Sequence, residues 1–125
     1  MLHQVKAYGQ RFGEGDTIGV TLDLAIANTV RELPSGNVVG VLPGSDPKLR
    51  DQHVVLTAHW DHLGIGKPRG DDAIYNGAVD NASGCAGLLA LARAAAAGPR
   101  PRRTLLFVAV TAEESGLLGS QWFAQ

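Results

Sequence analysis

Five residues carry the chemistry that can be read from this sequence: His59 and Asp61 in Thr57-Ala58-His59-Trp60-Asp61-His62, Asp80 a little further on, and the adjacent pair Glu113-Glu114. An imidazole followed two residues later by a carboxylate, at the end of an apolar run, offers a metal ligand and a supporting acid from one rigid edge. A histidine in that place also serves as an ordinary hydrogen-bonded structural residue, and the motif alone does not separate the two readings. Adjacent glutamates on a turn point apart. One can therefore bind a cation while the other reaches an activated water, takes its proton and passes it to a leaving amine. The competing reading is a pair of solvated glutamates in the first turn of a helix. It loses weight because the pair directly follows a continuous apolar run.

The elements that must position these groups are legible on either side of them. Val54 to Thr57 reads as a short buried strand ending at His59. A glycine- and charge-rich loop is expected after His59, running through Gly64, Gly66 and Gly70 and ending at Gly77, followed by a helix capped by Asn81 or Ser83. Cys85, Leu88, Leu89 and Ala92 recur at helical spacing and Arg93 is the helix's only charge, which predicts that most of its circumference is buried. Gly84 and Gly87 are expected to let its first turns approach a strand backbone, and Gly98-Pro99 to end it. Thr104 to Thr111 is a continuous apolar run typical of a strand covered on both faces, and Gly116 to Phe123 begins another helix.

Strand, crossover helix, strand makes a βαβ unit, so the two strands are parallel and the fold class is α/β. Functional groups in open parallel sheets gather at the carboxyl ends of the strands. His59 and Asp61 leave one such end, Glu113 and Glu114 the other, and Asp80 precedes the helix that opens at the same edge. One imidazole and four carboxylates thus meet at one rim. Six of the 12 acidic residues (Asp61, Asp71, Asp72, Asp80, Glu113, Glu114) fall in this loop-and-rim region, with only Lys67 and Arg69 as nearby cations. A divalent cation relieves such crowding better than two loop side chains, and carboxylates with neutral imidazole are its natural ligands.

The rest of the chain frames this unit. The first 16 residues are glycine-rich, polar and without a usable period. From Thr17 to Ile26 apolar residues alternate with small and polar ones, which predicts a half-buried strand. Pro34 to Asn37 marks a turn, Val38 to Leu42 a second strand, and Pro43 to Pro47 its end, together a hairpin or meander feeding the Val54 strand. At 125 residues this is one domain at most, and 45% apolar with 18% charged residues is ordinary for a folded chain. A net charge of −1 gives no electrostatic case for nucleic acid or an anionic membrane. Arg100, Arg102 and Arg103 read as a solvated turn. One cysteine, Cys85, excludes an intrachain disulfide and a cysteine zinc cluster, and fits a packing role. No run approaches the roughly 18 apolar residues of a membrane span, and the N-terminus lacks a signal-peptide layout.

In four ordered blocks the sequence resembles the co-catalytic zinc peptidases of the M28 family, the aminopeptidase and glutamate-carboxypeptidase-like group. The blocks are N-V-V-G-V-L-P-G-S-D-P (Asn37 to Pro47), T-A-H-W-D-H-L-G (Thr57 to Gly64), Y-N-G-A-V-D-N-A-S-G (Tyr75 to Gly84) and T-A-E-E-S-G-L-L-G-S (Thr111 to Ser120). The resemblance spans roughly residues 37 to 125. It implies a mixed β-sheet with helices on its faces, the zinc-exopeptidase (phosphorylase/hydrolase-like) fold. It implies that His59 binds one zinc, with Asp61 orienting its imidazole, that Asp80 bridges two zincs, that Glu114 binds the second and that Glu113 is the general base. His62 belongs to the matching block, and its expected place is a supporting or structural one. The family's remaining aspartate and histidine ligands fall beyond Gln125, so a partial peptidase domain is expected over residues 17 to 125, with little or no activity by itself. The strand from Thr17 is expected to be the tail of an upstream inserted domain.

The functional expectation is a zinc-dependent exopeptidase, most naturally an aminopeptidase, acting on peptide substrates. A secreted or periplasmic setting is what the resemblance favours. Two readings from other classes compete with it: a non-catalytic interaction module or remnant on the same fold, and a zinc-dependent cyclase or amide-modifying enzyme sharing the rim. Side-chain preference, the choice between amino and carboxyl ends, and oligomeric state are not encoded in these motifs.

Overall fold

The computed structural model describes residues 25–27 and 29–125. The chain divides into two compact units, Met1–Glu32 and Leu33–Gln125. The described residues of the first unit have no regular secondary structure, so the strand expected from Thr17 to Ile26 lies outside the described residues except for Ala25 and Ile26, which are not in a strand.

The second unit is an α/β arrangement built on a three-stranded mixed sheet. Its strands are β1 (Val38–Leu42), β2 (His53–His59) and β5 (Thr104–Val110), in the order β1-β5-β2. β2 and β5 run parallel in a register that sets His53 beside Thr104 and His59 beside Val110. The parallel βαβ unit expected from the apolar runs is therefore present, with α1 (Gly84–Ala97) as the crossover. β1 was expected to feed β2 as a hairpin or meander. It pairs instead with β5, antiparallel, with Val38 opposite Ala109 and Leu42 opposite Leu105. β5 takes the central place because it is the strand whose residues are apolar on both faces, whereas β1 is interrupted by Gly40 and closed by Pro43.

Central placement shows in the burial. Val108 is completely enclosed, and Phe107, Val110 and Thr104 are buried around it. β2 is an edge strand, so Val54 and Val55 remain partly exposed, contrary to a strand buried throughout. Ala58, Leu88 and Phe107 form the core, with Leu42, Leu56, Cys85, Ala92, Ala95, Leu105 and Ala109 packed against them. α1 contributes only Leu88 as a buried residue, and Leu89 stays 66% exposed. A helix covered on most of its circumference is thus not what the described residues show, because α1 packs on one sheet face through β2 and β5 and nothing described covers its outer side.

Two further elements depart from expectation. The loop expected after His59 contains an antiparallel hairpin, β3 (Gly64–Arg69) and β4 (Asp72–Tyr75). Arg69 pairs with Asp72 across Gly70-Asp71, and Gly70 has φ +65, the positive value a type II′ turn requires at its first central residue. The arginines of the Pro99 to Arg103 turn also do more than face solvent. Arg102 donates to Asp46 Oδ2 from Nε at 3.0 Å and from Nη2 at 2.7 Å, and Arg103 Nε donates to Gln52 at 2.8 Å. Both tie the start of β5 to the segment between β1 and β2. Gly44 makes this possible, since a Cβ there would lie 2.7 Å from the Arg103 carbonyl carbon. α2 (Leu118–Phe123) follows β5 as the last element. No described helix is long and apolar enough to cross a membrane.

Candidate metal centre

His59 is the last residue of β2, and its register with Val110 sets the geometry of the rim. Trp60 still donates its N–H to Val110 O at 3.0 Å, so the parallel ladder runs one bond past the strand before the chain turns away. On the neighbouring strand the turn comes sooner. Ala112 adopts φ 53, a left-handed conformation that costs a non-glycine residue roughly 1–2 kcal/mol and is borne here by the smallest side chain. That bend folds Glu113 and Glu114 back over the end of β2.

The third approach is from the head of the crossover helix. Ala78–Ser83 is an irregular π-like turn in which Asp80 (φ −113, ψ 90) and Asn81 (φ −139, ψ 40) leave helical geometry, and the peptide bond between them is cis. Of the two expected caps for α1, Asn81 fills the role, its Oδ1 accepting the Gly84 N–H at 3.0 Å. Ser83 instead donates its hydroxyl to Val79 O at 2.6 Å. Gly84 serves this cap and not a close approach to a strand: a Cβ would strike the Asn81 side chain, while one on Gly87 would meet nothing.

The groups brought together are those the sequence singles out. His59 Nε2 lies 3.0 Å from Asp80 Oδ1 and 3.8 Å from Glu113 Oε2. The ring's other nitrogen, Nδ1, is 3.0 Å from the main-chain carbonyl of Asp61 and 3.9 Å from that residue's carboxylate. The imidazole is therefore oriented chiefly by the Asp61 backbone, which turns Nε2, the lone-pair nitrogen of the neutral ring, toward the rim. The Asp61 carboxylate has another task. Its Oδ1 accepts the N–H of Glu113 at 3.2 Å and its Oδ2 the N–H of Glu114 at 3.3 Å, so it holds the main chain of both glutamates against β2. His62 Nδ1 and Glu114 Oε1 are 2.7 Å apart, and one donor atom from each of His62, Asp80 and Glu114 falls within a 4.8 Å group.

Asp71 and Asp72 are not gathered in. Asp71 sits at the hairpin turn, and Asp72 Oδ1 accepts the N–H of Ile74 at 2.8 Å within its own strand. Arg69 lies 5.3 Å over the Tyr75 ring, the Lys67 main-chain carbonyl accepts the Tyr75 hydroxyl at 3.0 Å, and neither side chain forms an ion pair with the rim carboxylates.

Two supporting residues carry weight that their place in the sequence did not suggest. Gly77, at φ +64, is packed so closely that a Cβ would stand 2.8 Å from both Asp80 O and the His62 ring carbon. Asn37, at the head of β1, donates to Gly119 O at 2.7 Å and accepts from Thr111 N at 3.0 Å, so it pins both ends of the glutamate-bearing loop. Cys85 packs from behind, its thiol donating to His59 O at 3.2 Å. A glycine between a polar turn and a predicted helix is a recognisable signal. The Asn37 clamp has none, because its partners are more than seventy residues away.

Electrostatically the rim is acidic and short of cations. Among the described residues, its carboxylates form ion pairs only with His59 and His62. Burial of His59, whose side chain is 12% exposed, works against its charged form and is the largest single influence on it. The hydrogen bond to Asp61 and the fields of Glu113, Asp80 and Asp61 together outweigh it, so the pKa is raised above the ordinary histidine value.

This donor set fits zinc. Two donors on one tetrahedral zinc sit about 3.3 Å apart, given metal–ligand lengths of about 2.0–2.2 Å. The 3.0 Å between His59 Nε2 and Asp80 Oδ1 is close to that spacing. Asp80 is 69% exposed at the centre of the rim, within reach of His59 on one side and of the Glu114 group on the other.

Comparison with known proteins agrees with this chemistry. The sequence model of peptidase family M28 matches residues 37–125. The chain is 33% identical over 122 residues to a probable glutamate carboxypeptidase of Arabidopsis thaliana, covering 94% of this chain and 15% of that protein. It is 34% identical over 122 residues to a probable zinc metalloprotease of Pyricularia oryzae, covering 90% of this chain and 23% of the relative. An aminopeptidase of Mus musculus is 32% identical over 113 residues, which is 86% of this chain and 13% of that protein. The chain thus spans less than a quarter of the length of these relatives. No solved structure matches it.

Proposed function

The chain belongs to peptidase family M28, and from that membership we propose that the protein is a zinc-dependent exopeptidase that releases residues from the amino end of peptides. The observation that carries this reading is the meeting of His59 Nε2, Asp80 and Glu113 at the carboxyl ends of two parallel strands, with no lysine or arginine among the described residues to neutralise them.

In this reading His59, Asp80 and Glu114 would hold zinc, and Asp80 would be the residue shared if two ions bind. Zinc, when bound, polarises the scissile carbonyl and lowers the pKa of a water molecule to near neutrality. Glu113 is the proton carrier. Its carboxylate is 34% exposed at the rim, open enough to reach a substrate and close enough, at 3.8 Å from His59 Nε2, to share the site. It takes the proton from the attacking water and returns it to the leaving amine. Asp61, through the main-chain amides of both glutamates, keeps that carboxylate from swinging away.

The preference for an amino end rests on charge. A free α-amino group is cationic and suits an acidic rim whose described ion pairs include no lysine or arginine. A terminal carboxylate needs an arginine or lysine clamp, and none of the described cations joins the cluster. Two names among the relatives, a probable glutamate carboxypeptidase and an aminopeptidase, make end preference the property to measure.

The test is Glu113→Gln in the full-length protein. Zinc content measured by elemental analysis should match the wild type, while turnover of an aminoacyl reporter falls about 10²- to 10⁴-fold, the usual contribution of a positioned proton carrier. Unchanged turnover removes Glu113 from its role. Wild-type protein that cleaves carboxyl-terminal but not amino-terminal reporters overturns the assigned polarity.

A further inference from the structure

His62 has a place in the structure that the proposed chemistry leaves unused. It lies three residues past the end of β2, its side chain 22% exposed, with Nδ1 2.7 Å from Glu114 Oε1. That separation is a strong hydrogen bond to a carboxylate and shorter than the spacing of about 3.3 Å expected between two donors on one zinc. The contact joins two segments that meet only in the tertiary structure, and each segment is held on its own account. Glu114 is fixed at its N–H by Asp61, and the His62 ring rests against Gly77, where a Cβ would come within 2.8 Å of its Cβ and Cγ. A ring so seated does not follow the carboxylate; it dictates where the carboxylate goes.

We infer that His62 is a positioning residue that donates its Nδ1–H to Glu114 Oε1 and so presents the other carboxylate oxygen, Oε2, as a single-oxygen metal ligand. This rests on the proposed zinc site, in which Glu114 is a ligand. A glutamate with both oxygens free swings between one- and two-oxygen binding. Occupying one oxygen removes that choice and the side-chain entropy that goes with it. With Nδ1 engaged by the carboxylate, the imidazole acts on the metal site through Glu114, and the spectral comparison below separates this from binding through Nε2.

The test uses three variants of the full-length protein, His62→Ala, His62→Asn and Glu114→Ala, loaded with cobalt(II) or zinc from metal-buffered solutions. Asparagine places an N–H near the position of Nδ1, so it keeps the donor and loses the ring. His62→Ala should bind the ion held by Glu114 about 10- to 100-fold less tightly, the range typical for groups that orient a ligand. At saturation its cobalt visible spectrum should depart from the wild type only as far as a change from one- to two-oxygen binding by Glu114 requires, and less than that of Glu114→Ala. His62→Asn should recover affinity to within a few-fold, whereas Glu114→Ala should change the spectrum itself.

Unchanged metal affinity in His62→Ala, with a wild-type circular dichroism spectrum, overturns the inference. So does a His62→Ala spectrum altered as in Glu114→Ala with no recovery by asparagine, which would make His62 a ligand. Wild-type protein that binds neither metal overturns the zinc reading beneath it, and that result is distinct from a wild type that binds with His62 irrelevant.

Discussion

At the scale of single residues, the proposed site divides the rim's groups into two duties, to meet a cation or to hold those that would. Asp61 belongs to the second kind. Its two carboxylate oxygens take the N–H groups of Glu113 and Glu114, a task that a main-chain trace hides and a motif does not announce. Asp61→Ala leaves both amides unsatisfied, which should lower unfolding free energy by about 1–3 kcal/mol in chemical denaturation and weaken zinc binding at the same time. Asp61→Asn, which keeps one acceptor, should fall between. Gly77 and Gly70 form a second comparison. Both have positive φ, 64 and 65, but a Cβ at Gly77 meets His62 and Asp80 while one at Gly70 meets nothing. Gly77→Ala should therefore cost more than the roughly 1 kcal/mol of left-handed strain and reduce zinc affinity. Gly70→Ala should show the strain alone in thermal melts, with zinc titration unchanged.

At the scale of elements, the site depends on a loop that β5 cannot hold by itself. Residues 111 to 119 carry Glu113 and Glu114 between two positive-φ residues, Ala112 and Leu117, and close through Gly119 N–H to Thr111 O at 3.0 Å. Asn37 fastens both ends of that loop to β1. Asn37→Ala should lower stability by about 1–3 kcal/mol and raise amide hydrogen exchange within the loop, with the β2–β5 ladder unaffected. Much of this level was open to reading. The βαβ unit followed from two apolar runs and an intervening helical period, and both strands, the crossover and the end of α1 fall where those patterns put them. The β3–β4 hairpin was hidden by Pro68 and by glycines at both Gly64 and Gly66, which weaken a strand pattern. The Gly70-Asp71 pair at its tip was a usable turn signal all the same.

At the scale of the whole molecule, the proposed zinc site would link metal to fold, because a site assembled from β2, β5 and the head of α1 exists only in the folded chain. Zinc removal by a chelator should lower the melting temperature, and free zinc at a thousand times its Kd should add about 4 kcal/mol to stability. The pH dependence has a definite sign. His59 has a raised pKa in the metal-free fold, so its protonated form stabilises that fold. This contribution is complete below the ordinary value of 6.5 and lost as pH climbs through the raised one. Zinc held by His59, as proposed, would require the neutral ring, so occupancy should move the opposite way and fall as pH drops through the same range. The difference in melting temperature between zinc-loaded and chelated protein should widen with rising pH across this interval, and His59→Gln should flatten the chelated limb.

By itself the sequence determined which residue types gather at the rim, because period, strand ends and the right-handed crossover follow from local sterics and hydrophobic pattern. It determined the family as well, through four blocks kept in order from Asn37 to Ser120. Only the tertiary structure decided how those residues divide their work. The insertion of β5 between β1 and β2, the two-handed grip of Asp61 on the glutamates, the clamp from Asn37 and the seating of His62 on Gly77 all join residues distant in the chain. Such contacts form where packed elements bring groups within hydrogen-bonding distance, and no local pattern encodes a distance between segments that meet only after folding.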